Sequence, residues 1–545
     1  MSKENKWKEG IFVKRKVRFL GGILAAIMFV TACQKTQVVD ESVSGLKEDE
    51  VALVKCDEGN PMAGKSDTGD YIYGGDPSVL VDGDTVYVYT GHDISKDDQV
   101  ERKVYNIPEY LCYSSKDLKT WKAEGSVMKV NKKTVDWTSS NMSAWASQVA
   151  KHYDKKAGKD RYYLYYCTWD ATSQGKQSIG VAVADKPTGP FEDIGKPLVQ
   201  GTTTVSQNSN WDDIDPTVWV ETGKDGEEHR YLGWGNSSFF TCELNEDMIS
   251  VKDLNGDGKI TYATSIKKGD ILPREVSGFT EAPWFYRRQN EKGEYVGPYY
   301  LFYASGWREK MAYSTTDDLM TGTYTWGESI MYPTATSNTN HEAVFDFKGK
   351  TYFVYHNGSL PGGNGYRRSA CIRELKFGKD GSVEEMEETA IGLTGTTYVI
   401  RDGEKQELAH APFNNSSSDT LYPYKRIKIS TLFTTGKEVD KKWVFRSGKA
   451  DAKNAAYVSI EAENKPGLYI IANADGSVTL AQDADASEQT AKNQTFRTVK
   501  GLKTSRGTSF ESVAYPGKYL VLKDGMLKLG TKEDKEEATF YIDKK

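Results

Sequence analysis

Three acidic residues open apolar β runs at matching points of the chain: Asp76 in GGDPSVL, Asp215 in IDPTVWV and Glu281 in TEAPWFY. Any one alone reads equally well as turn chemistry, because Asp-Pro initiates turns and Asp side chains cap nearby amides. Three at equivalent positions would repel one another, a stability cost that function has reason to retain. Converging acids suit cleavage of a glycosidic bond. One must be protonated to donate to the leaving oxygen and one ionised to activate water, while a third holds the donor's proton affinity up. Calcium is the competing account of clustered carboxylates, but its ligands usually come from one contiguous loop, and these are scattered.

The elements that would bring them together are short strands. Between about residues 70 and 400 nearly every segment is a β run broken by Gly, Asp, Asn or Lys turns, with no long amphipathic helix. With Asp76, Trp145, Asp215, Glu281 and His341 as markers, a hairpin pattern recurs at spacings of 69, 70, 66 and 60 residues. A further strand ending in an Asp turn follows four of the hairpins, which leaves room for an outer fourth strand. Four strands per 60 to 70 residues, five times over, predicts a five-bladed β-propeller, whose innermost strands converge on one funnel. Residues two hundred positions apart then become neighbours. A second repeat lies near the C-terminus, where SIEAENKPGLY (459–469) and SFESVAYPGKY (509–519) align at an offset of 50. Two such copies with Pro-Gly turns suggest a β-trefoil-like module.

The series GGDPSVL, WASQV, IDPTVWV, TEAPWFY, NHEAVF and GYRRSACI resembles glycoside hydrolase family 43 in that order. The resemblance implies a five-bladed propeller and an inverting mechanism. It sets Asp76 where the family has its general base, Glu281 at its general acid and Asp215 at its pKa modulator. Trp145, Trp234 and Asn236 are candidate sugar contacts, with an equally good core reading for Trp145. His341 resembles the family's central histidine, which helps hold a water or a calcium, and Arg368 an arginine that bonds the sugar, with Arg367 beside it as a rival. His356 follows a core strand and reads as structural. No cofactor is required on this resemblance, and a structural Ca2+ is the one ion it allows for.

The C-terminal copies resemble the arabinofuranose-binding trefoil of carbohydrate-binding family 42. Its sugar-contacting His after Tyr-Leu and Asp before Thr-Phe are missing from YLVL (519–522), NQTF (493–496) and EATF (537–540), which sets a structural role beside sugar binding. The pairing points to an exo-acting α-L-arabinofuranosidase removing side chains from arabinoxylan or arabinan. A β-xylosidase is the nearest alternative, and a non-catalytic glycan-binding propeller the alternative of another class.

Composition agrees with a carbohydrate partner. The 545 residues include 33 Tyr and 12 Trp, flat faces that suit sugar rings. A net charge of −6 without a basic cluster argues against nucleic acid. At the N-terminus a basic stretch, the apolar run FLGGILAAIMFV (19–30) and VTAC (30–33) resemble a bacterial lipoprotein signal with Cys33 as the lipidated residue. The expected organisation is a signal over 1–33, a polar tether over 34–67, the propeller over 68–402, a linker or divergent repeat over 403–442 and the trefoil-like module over 443–545. The expected product is a monomer anchored at the cell surface. The other five cysteines are odd in number and free of metal spacing, so most of them read as buried apolar residues. DLNGDGKITYAT (253–264) matches half an EF-hand loop, but Thr264 stands at the position of the bidentate Glu, so a hairpin turn is the better reading.

Overall fold

Alternation dictates the local structure. In the hairpin from Gly74–Asp82 to Thr85–His92, Val86 and Val88 are fully buried on one face. Gly83 opens its two-residue turn at φ +61°, and in the hairpin that joins Phe347 to Lys350, Lys348 and Gly349 both take positive φ. Such turns match the right-handed twist of the strands they join.

The computed structural model describes residues 38–40, 42–62, 71–204, 210–223, 225–410, 428–432 (as backbone), 437–482 and 487–545. Four four-stranded antiparallel sheets and one of three strands make the five blades of a propeller. Their innermost strands, Gly74–Asp82, Ser147–Asp154, Thr217–Thr222, Glu281–Gln289 and Ala343–Phe347, touch in sequence around a ring that closes from the fifth back to the first. Apolar layers fill the gaps between adjacent blades, among them Tyr89, Val149 and Leu164 between blades 1 and 2 and Phe239, Phe285 and Leu301 between blades 3 and 4. Blade 5 stops at three strands because its outer edge is met by the N-terminal segment. Met62 N–H donates to Ala370 O (2.9 Å), and the Asn60 side chain pairs with the Ile372 backbone in both directions (3.0 and 2.8 Å).

The tether expected over 34–67 is thus folded structure over its described residues. Val51 N–H donates to Thr498 O at 3.1 Å, and Leu53, 1% exposed, enters the C-terminal core. Its apolar positions are too few to show a period, which is why it reads as polar coil. The C-terminal unit holds three copies rather than two. One copy runs from Trp443 to Gln482 and a second from Phe496 to Thr531. The third is split: Tyr398–Arg401 pairs with Tyr541–Lys544 and with Trp443, and Lys428–Leu432 pairs with the first copy. The propeller sheets end at Leu375, so the expected boundary at 402 moves back, and the described strands of the stretch expected as a linker or divergent repeat pair within the trefoil. Cys112, Cys167, Cys242 and Cys371 are buried and free, and Cys56 is part-buried and free. Cys33 and the targeting segment lie outside the described residues.

Candidate active site

Bulges aim the first-strand acids. The pairing register slips between Gly75 and Ser78, and again between Glu281 and Trp284. At these irregularities Asp76 (φ +53°) and Ala282 (φ +58°) take left-handed backbone, as does Asp215 (φ +59°) just before its strand. A bulge turns a side chain out of the sheet's alternation, and Asp tolerates positive φ better than most residues. Gly75 has no alternative, since a Cβ there would fall on the Arg368 guanidinium.

Asp76 is clamped on two sides. Its N–H donates to His356 Nδ1 (3.1 Å), and its Oδ1 accepts from Arg368 Nη1 (2.6 Å). Arg368 in turn holds Asp93 through Nε (2.8 Å), Nη2 (3.0 Å) and its backbone N–H (2.8 Å), and its guanidinium lies over the Tyr105 ring at 4.7 Å. Arg367 points away to Asp97 (2.8 Å), so Arg368 is the arginine of the site. Burial and the Arg368 charge push His356 far below its ordinary range, so it is neutral. Accepting at Nδ1, it is left to donate from Nε2 to Thr339 O (2.9 Å).

Asp215 Oδ2 accepts the N–H of Ala282 at 3.0 Å, which fixes the backbone carrying Glu281. Burial, then the Glu281 and Asp76 charges, raise Asp215 well above the usual carboxylate range. Burial raises Glu281 too, helped by Asp76 and opposed by hydrogen bonds from Glu309 and Asn236. Asn236 Nδ2 donates to Glu281 Oε2 at 2.5 Å, its amide oriented by Ser237 Oγ on Oδ1 (3.0 Å).

All three acids line one cavity of about 540 Å³, together with Trp145, Asn236, His341 and Arg368. Trp145, Trp169, Trp211 and Trp307 line it together with Tyr105 and Tyr366, and Trp307 is 71% exposed at the rim. Trp234 is not part of it. That indole is fully buried in an apolar layer with Leu232 and Phe240, with Nε1 donating to Asp213 Oδ1 (2.7 Å), a carboxyl that burial pushes up to about 6. Sequence reasoning missed Asp93, Trp169, Trp211, Trp307 and Glu309.

The described residues offer no protein-liganded cation site. Among those described, no group of three or more His, Cys, Asp or Glu is placed to hold a metal ion. His341 is buried and neutral, pushed down to about 3. In the 253–258 loop Asp253 spends both oxygens on the N–H groups of Gly256 (2.7 Å) and Gly258 (2.8 Å), so it is a turn.

A family described as glycosyl hydrolases family 43 matches residues 72–383. The chain belongs to that family. It is therefore a glycoside hydrolase, and the matched span holds every described strand of the five blades. A second family, described as the α-L-arabinofuranosidase B domain, matches residues 420–544. A β-D-galactofuranosidase of Aspergillus niger is 29% identical over 296 residues, covering 52% of this chain and 76% of that protein. A xylosidase/arabinosidase of Bacteroides ovatus is 28% identical over 345 residues, covering 58% and 96%. Among solved structures, an α-L-arabinofuranosidase of Clostridium thermocellum is 30% identical with a TM-score of 0.44, covering 59% of this hydrolase and 95% of that chain.

Proposed function

We propose that the chain is an inverting, exo-acting α-L-arabinofuranosidase that removes arabinose side chains from arabinoxylan or arabinan. The observation that carries it is the contrast between two acids of one cavity. Asp76 receives a guanidinium, the interaction a carboxylate makes, whereas Glu281 is buried, without an ion pair among the described residues, and raised. Opposite environments assign opposite tasks. Asp76 takes a proton from water as its oxygen attacks the anomeric carbon. The bond to the leaving oxygen breaks, and Glu281 protonates that oxygen. Asp215 acts through the Ala282 amide and through its proximity to Glu281. Water and leaving group on opposite faces invert the anomeric centre. The arabinofuranosidase B-type domain supports arabinose over xylose.

The test is digestion of arabinoxylan and arabinan, with the released monosaccharide identified, by wild type, Asp76→Asn and Glu281→Gln. Arabinose is expected from wild type, with losses of about 10²- to 10⁴-fold in both variants. Xylose as the main product sinks the substrate assignment, and near-wild-type turnover by either variant sinks the roles.

We also propose export with a lipid on Cys33, supported by the basic, apolar and VTAC sequence of residues 14–33. Metabolic labelling with a fatty acid should mark the wild type and not Cys33→Ser; equal labelling removes the proposal.

A further inference from the structure

One acid of the cavity has no part in this mechanism. Glu309, 1% exposed, stands just past the second strand of blade 4, and its Oε2 accepts the N–H of Asn340 at 2.6 Å. Its carboxyl hydrogen-bonds the carboxyl of Glu281. Ionised carboxylates are acceptors only, so this bond exists only while a proton sits on one of the two.

The surroundings decide which. The groups facing the pair are Asp76 from blade 1, Asp215 and the Asn236 amide from blade 3, and Arg368 and His341 from blade 5. The guanidinium is committed to Asp93 and Asp76. His341 is neutral. Among the described residues no cation forms an ion pair with Glu309, Glu281 or Asp215, and the Arg308 side chain turns to the carbonyl oxygens of Thr334 and Ser337 (2.5 and 3.1 Å). An ionised Glu309 would therefore be one more buried negative charge with no cation beside it and only the Asn340 N–H to offset it. Burial and the Glu281 charge push Glu309 well above the ordinary carboxyl range.

We propose that Glu309 is a positioning residue that stays protonated through the reaction and donates its O–H to Glu281; this rests on Glu281 being the general acid. When Glu281 releases its proton to the leaving oxygen, its new carboxylate is met at once by the Glu309 hydroxyl and the Asn236 amide. Glu309 gains and loses nothing. The cycle closes as Asp76 returns the proton taken from water to solvent and Glu281 regains one. A donor already in place when charge develops stabilises the transition state more than the ground state.

The experiment is the pH profile of kcat/KM for the full chain on an arabinoxylan oligosaccharide, whose poor leaving group demands acid assistance. Glu309→Gln keeps a neutral donor of similar shape, so activity within roughly threefold of wild type and an unmoved alkaline limb are expected. Glu309→Ala is expected to lose about tenfold to a hundredfold. Its alkaline limb should move to higher pH, because the Glu281 carboxylate has lost a donor. An alkaline limb shifted down by about one unit in Glu309→Gln overturns the proposal, since only an ionised Glu309 raises its neighbour. So does a wild-type profile in Glu309→Ala. If the alanine variant fails to fold, the glutamine profile decides alone. Full activity of Glu281→Ala on the same substrate removes the underlying assignment instead, which separates the two failures.

Discussion

Arg368 carries more of the site than any other side chain, because it is the cation that Asp76 and Asp93 share. Both it and Asp93 are almost fully buried, at 2% and 1% exposure. Removing one partner of such a cluster leaves uncompensated charge in a low-dielectric interior, at about 3–5 kcal/mol. Arg368→Met is therefore expected to lower stability by that order in denaturant unfolding. Arg368→Lys should fall between, since an ammonium on a flexible stem cannot reproduce the planar fork that reaches both acids. The double variant Asp93→Asn with Arg368→Met should recover part of the loss, because it neutralises the charge the single variant strands. A single variant as stable as wild type, or a double variant no better than the single, would show that the cluster does not hold the funnel together.

At the scale of strands, the site consists of two rings. The first, at the openings of the innermost strands, holds Asp76, Trp145, Asp215, Glu281 and His341, and it was legible because those residues stand at one phase of a repeat. The second lies where each blade's second strand runs out: Asp93 after YTGH, Trp169 after YYCT, Asn236 after GWG, Glu309 after ASGWR and His356 after FVY. Only Asn236 of that ring stood out as a contact in the sequence. These exits differ in length and residue type, since loops vary where strands cannot, so the repeat loses its phase there. Asp93 and Glu309 also look like surface charges until the fold buries them. Trp234 misled for the opposite reason: it is aromatic and two residues from Asn236, yet pairing turns it into the blade, where Asp213 satisfies its N–H.

Across the whole molecule, the trefoil braces the propeller where the site needs it. Two features went unread in the sequence for one physical reason, that contacts between distant segments leave no local period: the N-terminal segment on blade 5 and this brace, and the same reason left the split third copy open between a linker and a divergent repeat. In each of two trefoil copies an arginine bonds a glutamate that also accepts a turn glycine N–H: Arg446, Glu461 and Gly467, then Arg497, Glu511 and Gly517. The N-terminal segment spans both, with Glu58 O accepting from Arg446 (2.8 Å) and Asp49 from Arg497 (3.1 Å). Arg446 continues to Ala390 O (2.7 Å), and Lys465 to Glu387 (3.1 Å), so the trefoil is tied to the chain leaving blade 5. The tie that reaches the site is Gln482, whose Nε2 donates to Gly358 O and Gly363 O, both at 2.9 Å. Those carbonyls belong to the loop that leads into Tyr366 and Arg368, and Tyr366 packs on Tyr105 at 4.5 Å under the guanidinium. Gln482→Ala leaves both carbonyls without that donor and is expected to cost about 1–3 kcal/mol in unfolding. If the brace positions Arg368, kcat should also fall several-fold on arabinoxylan at temperatures where the variant is fully folded. Arg497→Ala, which removes the trefoil's tie to Asp49 of the N-terminal segment, should lower stability without that loss of kcat. Equal kcat in the two variants would reduce the trefoil to a passive weight on the propeller, with no hand in the geometry of the site.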